Sequence, residues 1–267
     1  MCAKKVMVPP VAAKSRICFE RIVPDEVDPE RLVRRAMRAE MTKDIDKELN
    51  PDEFATTTRM ALVISKKWEN GSTLNCRFLD GSAKMQKAVE AAAHQWEKFA
   101  NVKFKFVKAG PAEIRISFYA DAGSWSAVGR DALNKEYFPL HQPTMNFGWV
   151  RDDSTKTEIE SVVLHEFGHA LGCVHEHQSP EFGRAWNREK VMEYFQGSPN
   201  FWDPASIEHN VLKKYPTKGL SASRFDPKSI MLYWFDAELF TDKKGPTNEN
   251  DTLSPTDKQM IAKMYPR

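Results

Sequence analysis

Residues 165–175 read His-Glu-Phe-Gly-His-Ala-Leu-Gly-Cys-Val-His, a spacing that suits a catalytic metal ion. On a helix, His165 and His169 stand about one turn apart and project from the same face. Glu166 lies one position further round, close enough to reach a water beside the metal without ligating it. Gly172 can take the left-handed backbone conformation, so the helix stops there and the chain turns sharply. That turn brings back His175 as a third nitrogen donor. Three protein donors leave one coordination position open, which marks a catalytic rather than a structural zinc. Zinc lowers the pKa of water from about 16 to about 7, so hydroxide becomes available at neutral pH. Glu166 would take the water's proton and pass it to a leaving amine, while the metal polarises the carbonyl under attack.

A second segment belongs with the first. Residues 226–233 read Asp-Pro-Lys-Ser-Ile-Met-Leu-Tyr, and Met231 would pack beneath the histidines as a soft, apolar floor. The pattern H-E-x-x-H-x-x-G-x-x-H followed by a methionine turn is the metzincin signature. With His175-Glu176 and Asp226-x-x-Ser229-x-Met231-x-Tyr233, the chain resembles the astacin family of metzincin zinc endopeptidases. The resemblance covers roughly residues 60–267. It implies an α+β zinc protease domain, with a twisted mixed sheet and the zinc helix in the upper half and a loop- and helix-rich lower half. It also implies one catalytic Zn2+, a peptide or protein substrate, and a role for Tyr233 as an extra ligand that swings away to stabilise the oxyanion. A phenol with a pKa near 10 can donate that hydrogen bond at neutral pH. In mature family members the glutamate matching Glu176 meets the freed N-terminal ammonium. Here about 60 residues precede the domain, so either they are removed or Glu176 finds another partner.

The elements that must position these groups are legible in outline. Residues 71–81 read as the strand that opens the domain, and Ser82 caps a helix expected to run to about Phe99. Residues 102–107 alternate apolar side chains with lysine, the pattern of a half-buried strand. Residues 114–119 and 144–150 read as further strands, the second leading into the zinc helix. The segment Gly123–Arg130 resembles the upper rim of the family's cleft, where an edge strand binds extended substrate by strand addition. A first strand is expected at 60–64, and residues 253–266 read as a capped final helix like the family's.

Residues 1–59 differ in composition and are expected to form an N-terminal extension, which the resemblance makes a candidate pro-segment. Residues 28–41 read as a helix carrying Arg31, Arg34, Arg35 and Arg38, either a solvated face or a docking surface for an acidic partner. Cys18, between Ile17 and Phe19, reads as a buried cysteine in a short strand or as an inhibitory zinc ligand. Asp25 or Asp28 could serve instead, as aspartates do in astacin pro-segments. Cys76 and Cys173 read as small buried apolar residues, since 4 cysteines in 267 residues do not suggest a disulfide scaffold.

A net charge of +2 with mixed signs indicates neither a nucleic-acid nor a membrane-surface footprint. No apolar run approaches the roughly 20 residues of a membrane span. The expectation is a monomer. The first ten residues, broken by Pro9 and Pro10, do not form a secretory signal. The chain is then cytoplasmic, or extracellular by family resemblance if a signal was trimmed. His177 reads as a surface or supporting histidine, while His94, His141 and His209 carry no motif. Two other readings stand beside the endopeptidase: a zinc-binding pseudoenzyme that recognises peptides without cutting them, and a hydrolase of non-peptide amides.

Overall fold

Among the described residues, short runs that mix aromatic and aliphatic side chains with polar ones build a mixed sheet of six strands. The computed structural model describes residues 18–21, 62–197, 201–215, 220–221 and 225–267. The expected helix at 28–41, with Asp25, Asp28 and the first ten residues, lies outside them. The strands are β1 (Phe19–Arg21), β3 (Thr73–Phe78), β4 (Lys103–Phe106), β5 (Ile114–Ser117), β6 (Ser124–Ala127) and β7 (Met145–Phe147), in the order β1-β6-β7-β5-β3-β4. β6 runs antiparallel to β7, and the other neighbours are parallel. The strand expected near 60–64 is only β2 (Leu62–Val63), which pairs with β8 (Leu220–Ser221) apart from the main sheet. A 3-10 turn, Ile64–Lys66, follows it directly.

Two helices cover the sheet. α1 (Ala83–Ala93) begins where the Ser82 hydroxyl accepts the Met85 N–H at 3.2 Å. It ends six residues earlier than the apolar stripe suggested, and Trp96–Lys98 tighten into a 3-10 turn. The tightening turns Trp96 inward, where its indole N–H donates to the Leu164 carbonyl at 3.0 Å and its ring is fully buried. α2 (Lys156–Ala170) starts with a capping box: Thr155 Oγ1 accepts the Glu158 N–H, and the Glu158 carboxylate accepts the Thr155 N–H. Reciprocal capping satisfies two otherwise orphaned N–H groups.

The main core lies between sheet and helices and joins Ile116, Met145 and Phe147 to Val89, Val163, Leu164 and Phe167. Phe104 and Phe167 meet edge to face with ring centroids 4.9 Å apart, a contact worth about 1 kcal/mol beyond simple burial. α5 (Pro255–Met264) closes the far side, with Pro255 at its first position and Ser254 as its cap. After His175 the chain is richer in loops, with α3 (Arg188–Gln196), the short α4 (Pro204–Ile207) and a π-turn at Glu208–Leu212. This part has its own core of Phe182, Phe195, Trp202, Phe235 and Phe240. Among the described residues, no helix is long and apolar enough to cross a membrane.

Candidate metal centre

α2 carries His165 and His169 into the interior and then stops within one residue. Gly172 has φ +99°, its N–H donates to His169 O at 2.8 Å, and the Cys173 N–H donates to Gly168 O at 3.0 Å. These paired bonds around a left-handed glycine form a Schellman cap. The reversal delivers His175, which is completely buried.

The three imidazoles meet through Nε2. His169 Nε2 lies 3.1 Å from His165 Nε2 and 3.1 Å from His175 Nε2. On each ring, Nδ1 faces an oxygen that can only accept: Ile230 O at 2.7 Å, Cys173 O at 2.9 Å and Gln178 Oε1 at 3.3 Å. The Gln178 amide is oriented by its Nε2, which donates to His209 O and Lys213 O. Each Nδ1 must therefore hold a proton, which leaves Nε2 as a bare acceptor on a neutral ring. Burial pushes His165 down to about 4 and holds His169 and His175 well below the ordinary imidazole range, so a second proton does not come. Three lone pairs thus point at one another with no proton between them, a repulsive arrangement that a cation removes.

Cys18 completes the set. Its Sγ lies 3.6 Å from Nε2 of both His169 and His175, and the four donor atoms fall within 4.8 Å of one another. A tetrahedral zinc with bonds of about 2.0 Å to nitrogen and 2.3 Å to sulfur separates its donors by about 3.3 and 3.5 Å. The donor set fits zinc in chemistry and in spacing. Tyr233 OH hydrogen-bonds the Cys18 thiol, and it lies 3.3 Å from Cys18 O and 2.5 Å from His175 Nε2.

The turn after Asp226 braces these groups. Ile230 O, which holds His165, shares its peptide unit with the Met231 N–H, which donates to Ser229 Oγ at 3.1 Å. Asp257 accepts the Ser229 hydroxyl at 2.7 Å and the Ile230 N–H at 2.8 Å, while its other bonds cap α5. Met231 is fully buried with its sulfur against Gly168. Glu176 is buried; its N–H donates to Met231 O, and its carboxylate accepts the Asp226 N–H at 2.8 Å. Glu166 is buried beside His165 on α2.

Two elements go beyond what the motifs announced. Cys18 leads directly into β1, which adds to β6 in parallel register, with Phe19 opposite Trp125 and Arg21 opposite Ala127. The edge strand of the cleft is thereby covered by the chain's own N-terminal segment. His177 is not a surface residue: it is fully buried, stacks on the His175 ring at 5.2 Å and faces Asn210 O at 3.0 Å. Cys76 and Cys173 are fully buried thiols in the main core, as expected. Gln178, three residues past the last histidine, carries no motif of its own. The Ser-x-x-Asp pattern at 254–257 signals a helix cap but gives no hint of the bond to Ile230.

Comparison with known proteins agrees with this geometry. The Matrixin family model matches residues 67–182. Two solved structures of myroilysin are similar over about three quarters of this chain. One is 40% identical and covers 78% of this chain and 98% of that one, with a TM-score of 0.74. The other is 39% identical over 76% and 87% of the two chains, with a TM-score of 0.60. Two zinc metalloproteinases of Caenorhabditis elegans, nas-30 and nas-23, are each 28% identical, over 115 and 152 residues. These alignments take in 43% and 57% of the present chain but only 13% and 24% of the relatives' lengths.

Proposed function

The chain belongs to the astacin family of metzincin zinc endopeptidases, and from that premise we propose that it cuts peptide bonds within polypeptides. Residues 60–267 would be the catalytic unit, and residues 1–59 a pro-segment that keeps it latent through Cys18. His165, His169 and His175 would hold the zinc, which when bound supplies Lewis acidity to the scissile carbonyl and makes hydroxide available near neutral pH.

The protein's own groups do the rest. Glu166 would accept the proton of the attacking water and return it to the leaving amine, a task worth about 10²–10⁴ in rate. The Tyr233 hydroxyl, held at the mouth of the histidine cluster, would donate to the oxyanion. It engages Cys18 while that residue is in place, so departure of Cys18 frees both an open donor position and the phenol. Met231 and Glu176 support the floor by fixing the turn against α2 and the loop after His175.

The observation that carries this reading is the convergence of three proton-free Nε2 atoms beside a buried thiol. Casein or a peptide library, incubated with and without a chelator, tests it. Cys18→Ser should raise the activity of the full chain, and a chelator should abolish it. Glu166→Ala should lose it by about 10²–10⁴. One zinc per chain with no cleavage of any peptide by Cys18→Ser would instead favour a peptide-binding module.

A further inference from the structure

β1 shows what the cleft can hold. β6 is the strand at which the sheet would end if β1 left, and its outward backbone groups now pair with Phe19–Arg21. An edge of this kind recruits any extended peptide through main-chain hydrogen bonds, and side-chain pockets then set the preference. In this chain the side chain of Arg21, itself partly open to solvent, lies over two aromatic rings. The guanidinium carbon of Arg21 lies 4.3 Å from the centroid of the Trp125 ring and 5.5 Å from that of Phe138. Tyr137 stands at the rim, its ring 6.2 Å from Phe138 and partly open to solvent. A planar guanidinium over an indole face is the most favourable pairing of cation and aromatic ring. Trp125 and Phe138 are buried in the main core, so the ring faces that meet Arg21 are held in place by the surrounding packing.

The distance along the strand assigns the pocket a position. Cys18 is at the metal donors, and Arg21 lies three residues further on, about 10 Å away in an extended chain. We propose that Trp125 and Phe138, with Tyr137 at the rim, form a substrate subsite for a cationic side chain, arginine before lysine, about three residues from the cleaved bond. Arg21 fills that subsite in the full chain. The proposal rests on the endopeptidase reading above and adds a preference to it.

Two measurements decide it. The first uses the Cys18→Ser, Arg21→Ala chain and peptides that differ only at the third residue on either side of the cleaved bond, carrying Arg, Lys, Gln or Leu. On one side, kcat/KM should favour Arg over Gln by about two- to thirty-fold, through KM rather than kcat, with Lys between them. Trp125→Leu should erase the preference while cleavage of the Gln peptide persists. Should Trp125→Leu not fold, Trp125→Phe should narrow it. The second uses the chain with Cys18 intact: Arg21→Gln should speed amide exchange at residues 19–21, and Arg21→Lys should speed it less. Cleavage without preference for a cation overturns the subsite and leaves the endopeptidase reading standing. Failure to cut every peptide in the panel overturns that reading, and the subsite with it.

Discussion

The sulfur of Met231 lies where a side chain on Gly168 would have to go: a Cβ built on that glycine falls 2.5 Å from it. Gly168 sits between the two histidines of α2, so the helix and the methionine turn touch at the one position without a side chain. The close approach also sets the height at which Ile230 O meets His165.

Gly168→Ala should therefore be costly although alanine favours helix. The Cβ would also meet the Trp96 ring at 3.3 Å, so the methionine turn rather than the helix must give. A loss of about 1–3 kcal/mol is expected from overpacking of this kind. Urea unfolding of the two chains measures it, and equal midpoints would show that the turn is not fixed against α2.

Gln178→Ala should weaken zinc binding without touching a zinc donor. Its Oε1 receives Nδ1–H of His175 while its amide is tied to His209 O and Lys213 O. Loss of such an outer partner commonly lowers metal affinity about 10- to 100-fold. Competition with a chromogenic chelator reads this directly, and Gln178→Glu should retain most of the affinity.

Asp257 gives the fold a pH dependence of defined sign. Burial pushes its carboxyl up to about 6 from an ordinary 3.8, against the pull of its hydrogen bonds from Ile230, Ser254 and Ser229. The folded chain then takes up this proton at a higher pH than the unfolded one. The contribution to stability is fully present below about pH 4 and is lost as the pH rises through about 6. Compared with Asp257→Asn, the wild-type chain should lose about 3 kcal/mol between pH 4 and pH 8. Parallel denaturant series across that range, with chelator present, check the slope; a rise instead of a fall would refute it.

Lys66 and Asp131 form a buried ion pair that ties the segment entering the domain to the loop after β6. Removing one partner strands the other charge in the interior, so Asp131→Ala should cost about 3–5 kcal/mol. Replacing both by Leu and Met should recover much of that loss. Thermal unfolding of the single and double variants distinguishes the two cases.

How far the sequence could be read follows the range of each interaction. The His165–His169 spacing, the left-handed Gly172 and the caps at Ser82 and Ser254 depend on neighbours within one or two turns, and all were legible. The continuous helix to Phe99 was not, because Trp96 leaves the helical path to reach Leu164 O, 68 residues away. A short strand beside Cys18 was legible as one of two readings, but its place in the sheet was not. Only pairing with β6 sets that place.

By itself, then, the order of residues determined a metal-binding helix, a sharp stop, a third histidine and a methionine turn to follow. Helical geometry and glycine's backbone freedom act locally and need no partner. The tertiary structure decided which ring nitrogen bears each proton, through Ile230 O and Gln178. It brought Cys18 to histidines 151 and 157 positions away and laid Arg21 over Trp125. Contacts of that range arise only when separate elements share one core, and no local period records them.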